Sequence, residues 1–271
     1  MPILSLAHLT LLALAPPQLI AVAARTGYGK VGLRLLPAAP GAVAYPLMED
    51  KAALAETLAA GAGTGVGVFD LEIVRLGAEF RADALLPFLE TGARLGARAM
   101  LVAGDDPDEA RLTASFAALC EAAAPFGLTA DLEFMPWTRV PDARTALRIV
   151  AGAGTANGGV LVDALHYARS GSSLADIAAI PRARLHYAQL CDAPAEAPGT
   201  VEGLVHAARR QRLLPGEGGI DLAGLIGALP RDLPISVEIP DERRAAELGA
   251  EAWASRALAA TQALLARVQP S

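Results

Sequence analysis

A chain of 271 residues, 53% hydrophobic and 19% charged, is too apolar to be disordered and long enough to bury a large core. Its formal net charge of −6 gives no general attraction to nucleic acid or to an anionic membrane. Its two cysteines, Cys120 and Cys191, are far apart in sequence, so they make no disulfide framework and favour a reduced, cytoplasmic setting.

The first segment, "MPILSLAHLTLLALAPPQLIAVAA", has the outline of a secretory signal that ends in small residues. It has no Lys or Arg before Arg25, however, and His8 interrupts the apolar run. Pro16-Pro17 starts a helical pattern, and the apolar core is too short to span a bilayer. We therefore expect "ILSLAHL" (3–9) to be the first strand, followed by a helix over 17–26. Strands at 30–36 ("KVGLRLL"), 66–74 ("VGVFDLEIV") and 98–104 ("RAMLVAG") then alternate with helices at 49–60, 83–95 and 107–124. The pattern continues with strands at 128–135, 159–165, 184–190 ("RLHYAQL") and 234–239 ("PISVEI"). The helices between and after them are predicted at 141–152, 173–179, 221–228 and 249–267. "DDPDEA" (105–110) and "VPDARTA" (140–146) carry the acidic signals of helix starts.

Eight strands, each followed by a helix and apolar on nearly every position, are expected where both faces of a parallel sheet are covered. The spacing is about 34 residues per unit, which suits a (β/α)8 TIM barrel in one domain, 1–271. A doubly wound sheet would carry a glycine-rich turn after its first strand, and "LTLLALAPP" has none. The spacing lengthens after the seventh strand, where residues 192–220 form an enlarged loop placed to serve as a lid.

Four consecutive strand ends carry an oxygen donor inside an apolar run: Glu133, Asp163, Gln189 and Glu238. In a barrel of this type chemistry sits at the C-terminal ends of the strands. Gathering three carboxylates there is too costly without a cation among them. Oxygen donors favour Mg²⁺ or Mn²⁺, with zinc a poorer match, and no organic cofactor is implied. Glu133 and Glu238 would also move protons on either side of a substrate carbon.

The set "LEFMPWT", "VDALHYARSG", "YAQLCDAP", "RLLPGEG" and "SVEIP" resembles the xylose-isomerase-like TIM barrels, the sugar phosphate isomerase/epimerase superfamily. The resemblance covers the whole chain and is most specific over 128–240. It implies a metal held at Glu133, Asp163, Gln189 and Glu238, with glutamine where sugar epimerases commonly have histidine. That glutamine, with "QLCDAP" and the "PGEG" loop, is more similar to the bacterial 3-dehydroshikimate dehydratases of the superfamily.

His166, three residues beyond Asp163, should overhang the site as an acid, base or substrate contact. Arg169, Arg209 and Arg212 could pair with a substrate carboxylate, and surface placement is the alternative for each. Glu217 reads as a hydrogen-bonding member of the lid that would contact the substrate. Glu72 and His8 could reach the rim, Trp137 could wall the pocket, and Cys191 reads as a buried thiol. The only lysines, Lys30 and Lys51, lie at a strand start and a helix entry, which argues against Schiff-base chemistry.

The expected function is a metal-dependent isomerase or epimerase of a small polyhydroxy carbonyl compound acting through an enediolate. The alternative is a dehydroshikimate-type lyase. A nucleic-acid repair enzyme would need more than four histidines, and a non-catalytic barrel would have lost donor residues. The partner is a small polar substrate, with a homo-oligomer possible and neither nucleic acid nor membrane expected.

Overall fold

The apolar runs become strands because helices packed outside them bury the face that the barrel interior does not. In the computed structural model, which describes residues 2–268, the elements run β1 (Leu4–Leu6), α1 (Pro16–Thr26), β2 (Lys30–Arg34), α2 (Lys51–Thr64), β3 (Gly67–Leu76), α3 (Leu86–Leu95). They continue as β4 (Ala99–Gly104), α4 (Glu109–Ala123), β5 (Thr129–Glu133), α5 (Ala143–Ala153), β6 (Gly158–Asp163), α6 (Ala164–Arg169) and α7 (Leu174–Ala178). The last part holds β7 (Ala188–Leu190), α8 (Val201–Arg210), α9 (Leu222–Ala228), β8 (Ile235–Val237), α10 (Glu242–Leu248) and α11 (Ala250–Val268). The eight strands close into a parallel barrel in sequence order, β1 pairing with both β2 and β8. The segment with a signal-like outline is therefore the strand that closes the barrel. Among the described residues no helix is long and apolar enough to cross a membrane.

Three expected boundaries move. β1 stops at Leu6, and His8–Leu11 turns into a short 3-10 helix. β7 is only three residues long, because Arg182–Arg184 form a 3-10 turn after Pro181. There the Arg184 guanidinium donates to the carbonyls of Thr155 and Gly158. The enlarged loop contains a ten-residue helix, α8, with Thr200 accepting from the Gly203 N–H at its start. The acidic start signals do act as caps: Asp108 and Asp142 accept backbone N–H groups of α4 and α5.

One apolar core lies between strands and helices, with Leu33, Leu71, Val102, Phe116, Leu132 and Trp253 fully covered. Trp253 of α11 donates its indole N–H to the Ile239 carbonyl at 3.0 Å, just past β8, with the Arg244 guanidinium over its ring. Trp253→Ala is expected to cost about 3–5 kcal/mol. Urea unfolding checks this, and a loss below 1 kcal/mol would mean that α11 does not anchor the end of β8.

The barrel interior holds a smaller apolar cluster, including Phe69, Leu101, Leu161 and Tyr187, with buried acids beside it. His186 Nδ1 lies 2.6 Å from Asp131 Oδ1, and Thr129 donates to the other carboxylate oxygen. Only glycine fits at 159, since a Cβ there would lie 2.4 Å from Asp131 Oδ1. Burial alone would push the His186 pKa down, but the hydrogen bond and charge of Asp131 outweigh it and raise it. The contribution to stability is full below the unfolded histidine pKa of about 6.5 and is lost as pH rises through the higher folded value. Melting scans should show a decline as pH rises past about 6.5 that His186→Gln flattens. A decline of equal size in the variant would assign it elsewhere.

Candidate active site

Glu133 ends β5, Asp163 ends β6, Gln189 is the middle of β7 and Glu238 follows β8 by one residue. Asp163 pairs in register with Gln189, and the Glu238 N–H bonds to the Leu190 carbonyl at 3.1 Å. All four side chains are buried on the C-terminal side of the barrel. Asp163 also caps α6, its Oδ1 accepting the His166 N–H at 3.0 Å, and this holds the imidazole over the site. His166 Nε2 lies 3.6 Å from Glu133 Oε1, and the Gln189 amide donates to Glu238 Oε1 at 3.1 Å.

Arg212 joins the cluster from within. Its two terminal nitrogens reach Asp163 Oδ2 at 2.6 Å and Glu238 Oε2 at 2.8 Å, and its Nε bonds to the Ala208 carbonyl. The sequence suggested a lid arginine for substrate; the structure places it 2% exposed, as the counter-charge to two of the expected metal ligands. The residue is drawn in because two buried carboxylates need a cation.

The electrostatics follow from this crowding. Burial, then the charges of Asp163 and Glu238, push the Glu133 pKa well up. Burial raises Glu238 to about 7, against the pull of Arg212. Burial would also raise Asp163, but Arg212 and the His166 interactions outweigh it and hold it down. Burial lowers His166 to about 4, so its ring is neutral at pH 7.

Three donor atoms here are buried without a hydrogen-bond partner: Glu133 Oε1, Gln189 Oε1 and His166 Nδ1. Ligand atoms of Glu133, Asp163 and His166 all lie within 4.8 Å of one another. Orphaned lone pairs amid excess negative charge fit a divalent cation. In the arrangement present, His166 stands nearer the donor group than expected, while Glu238 has Gln189 on one oxygen and Arg212 on the other.

The adjoining pocket encloses about 430 Å³, counting its open mouth. Its walls include Leu9, Ile73, Met135 and Trp137, the last edge-on to His166 at 5.1 Å. Arg34, Arg75 and Arg209 share the lining with Glu133, Glu238 and Arg212. Arg34 and Arg75 were missed from the sequence. Arg34 sits inside the apolar "GLRLL", the same signal that marked Gln189. Glu72 is buried behind the wall, taking Arg34 at 2.6 Å and the His8 N–H at 3.1 Å. His8 Nδ1 accepts the Arg34 N–H, so His8 braces this wall without lining the pocket.

Two expected substrate contacts lie elsewhere. Arg169 donates to the carbonyls of Pro194 and Ala195, tying down the loop. Glu217 pairs with Arg244 at 2.6 and 2.9 Å. Cys191 is fully buried, its pKa pushed up to about 12 by burial.

The loop itself is pinned. Asp192 Oδ1 accepts the Ala193 and Ile220 N–H groups, and Oδ2 accepts those of Gly216 and Gly218. Gly218 passes so close that a Cβ would lie 2.2 Å from the Ala193 carbonyl oxygen. Asp192→Ala should leave the buried Ala193 N–H unpaired, at about 1–3 kcal/mol, and release the part-buried N–H groups of Gly216, Gly218 and Ile220. Hydrogen exchange is expected to speed up over 214–220, and unchanged protection there would rule out the anchoring role.

A family model described as the xylose isomerase-like TIM barrel matches residues 20–264. A 3-dehydroshikimate dehydratase of Pseudomonas aeruginosa is 32% identical over 125 residues, 45% of this chain and 19% of that protein. The match therefore spans less than a fifth of the relative. A solved IOLI protein with a binding zinc atom superposes with a TM-score of 0.81 at 18% identity, over 99% of each chain. An L-ribulose 3-epimerase gives 0.70 at 18% identity, covering 99% of this chain and 96% of that one. These two show likeness of fold.

Proposed function

Since the chain belongs to the xylose isomerase-like TIM barrel family, we propose that it is a divalent-metal-dependent isomerase or epimerase of a small hydroxylated carbonyl compound. The observation that carries this reading is the buried group of Glu133, Asp163, His166, Gln189 and Glu238, with orphaned donor atoms beside one pocket. Glu133 and Asp163, with Gln189, Glu238 or His166, would hold the ion. The oxygen-rich set suits Mg²⁺ or Mn²⁺, and the zinc-binding IOLI structure adds zinc to the ions worth testing. When bound, such an ion supplies Lewis acidity to a substrate oxygen.

The protein's own groups would do the rest. The Glu133 carboxylate takes the proton from the carbon next to the carbonyl. Glu238, with a pKa near 7, exchanges a proton from the other side. His166, neutral and steadied by Trp137, holds a substrate hydroxyl. Return of the proton to the opposite face inverts the carbon, and return to the neighbouring carbon moves the carbonyl.

Dehydration is the second reading, in which the same enediolate or enolate expels a β-hydroxyl. The sequence match to a 3-dehydroshikimate dehydratase favours it, in the part of the chain that match covers. The test incubates the Mg²⁺- or Mn²⁺-loaded protein in D2O with a panel of ketoses and with 3-dehydroshikimate. Deuterium entry beside the carbonyl without loss of water supports the first reading. Formation of protocatechuate supports the second. Metal-loaded protein that does neither overturns both.

A further inference from the structure

One guanidinium on the pocket wall has no partner among the described residues. Arg212 is matched by Asp163 and Glu238, Arg34 by Glu72, and Arg75 by Asp105. Arg209 also lines the pocket, and among the described residues it makes no ion pair and no side-chain hydrogen bond. Its neighbour Arg210 points to the outer face and pairs with Glu242 at 2.9 Å. Arg34 keeps a second unused donor, since its Nε is buried without a partner while its terminal nitrogen holds Glu72. Burial and the nearby charges of Arg75, Arg34 and Arg210 push the Arg209 pKa down, as expected of a cation held beside like charges.

A chain of net charge −6 has thus left one guanidinium on its pocket wall without an ion pair. Arg209 is part-buried, so water can solvate it, and its fork of donors remains free for an anion that enters the pocket. We propose that the substrate of this site carries one carboxylate, received by Arg209 with the free Arg34 Nε–H. The inference rests on the metal-dependent reading above and names the substrate class within it. Glu72 and Asp105 already hold Arg34 and Arg75, so Arg209 is the lining guanidinium left for a ligand, and a planar carboxylate can take its fork together with the Arg34 Nε–H. The apolar walls at Leu9, Ile73, Met135 and Trp137 would cover the carbon skeleton.

Binding separates this inference from the catalytic reading. Shikimate, its methyl ester, D-ribulose 5-phosphate and neutral D-allulose are titrated calorimetrically into Mn²⁺-loaded protein, with Mn²⁺ affinity measured separately. Shikimate is expected to bind at least about tenfold more tightly than its ester, a difference of roughly 1.4 kcal/mol. Arg209→Gln should remove that preference and leave both Mn²⁺ affinity and melting temperature unchanged. Arg210→Gln should leave shikimate binding as it is. Equal binding of acid and ester, or full preference retained in Arg209→Gln, overturns the proposal. Tighter binding of the phosphate or of D-allulose overturns it too, in favour of a dianionic or neutral substrate. Loss of Mn²⁺ binding with shikimate selectivity intact would sink the catalytic reading and leave this one standing.

Discussion

In EDTA, Arg212→Met is expected to lose about 3–5 kcal/mol of stability, the usual cost of leaving a buried charge without its partner. Asp163 and Glu238 would then face each other with no cation between them, each less than 3% exposed. The same oxygens would be available to a divalent ion, so Mn²⁺ should restore most of the lost melting temperature in the variant. In the wild type, where the guanidinium already neutralises the pair, the Mn²⁺ shift should be smaller. Arg212→Lys keeps the charge and should fall between the two, since one ammonium cannot repeat the fork to both carboxylates. Thermal unfolding of all three proteins with and without Mn²⁺ decides the matter. An unchanged melting temperature for Arg212→Met in EDTA would mean that the carboxylates are not the charged, clamped pair described above.

The second large effect is on rate. Glu133→Gln is expected to lower turnover by about 10²–10⁴-fold, the range for removal of a positioned acid–base group. Stability should behave the opposite way. Burial and two neighbouring carboxylates raise the Glu133 pKa, so the charged form is held at a cost that the isosteric amide lifts. Equal or higher melting temperature with lost deuterium exchange would identify Glu133 as a group retained for chemistry. Turnover within a few-fold of wild type would assign the proton transfer to another residue.

The barrel was legible because its strands are covered on both faces and therefore read as unbroken apolar runs. The same property hid the true length of β7: Leu185 and Tyr187 are buried outside any ladder, and burial without pairing looks like a strand. Glu133, Asp163, Gln189 and Glu238 stood out as polar residues within such runs. Arg34 carried the same mark and was passed over, since a long cationic side chain at a strand end normally reaches solvent. Arg212 had no local mark at all. Its placement depends on α8 returning the chain to β8, where the Arg212 N–H bonds to the Pro240 carbonyl at 3.0 Å. Arg169 and Glu217 went astray for the same reason, because backbone turns within 192–220 decide where side chains near that segment point.

The pinning of that segment bears on how such barrels diversify. Asp192 clamps it at its start, and antiparallel bridges at Asp192–Leu213 and Gln211–Asp241 tie its far end to the barrel. Between these anchors lies α8, which supplies Ala208 and Arg209 to the pocket but none of the donor residues at the strand ends. Residues 194–210 therefore shape the pocket without supplying any of the strand-end donors, and touch the charged cluster through the Ala208 carbonyl that holds Arg212. Recombination or design could swap this stretch to change which molecules are accepted, while the inherited chemistry stays in place so long as Asp192 and Arg212 remain at the seams.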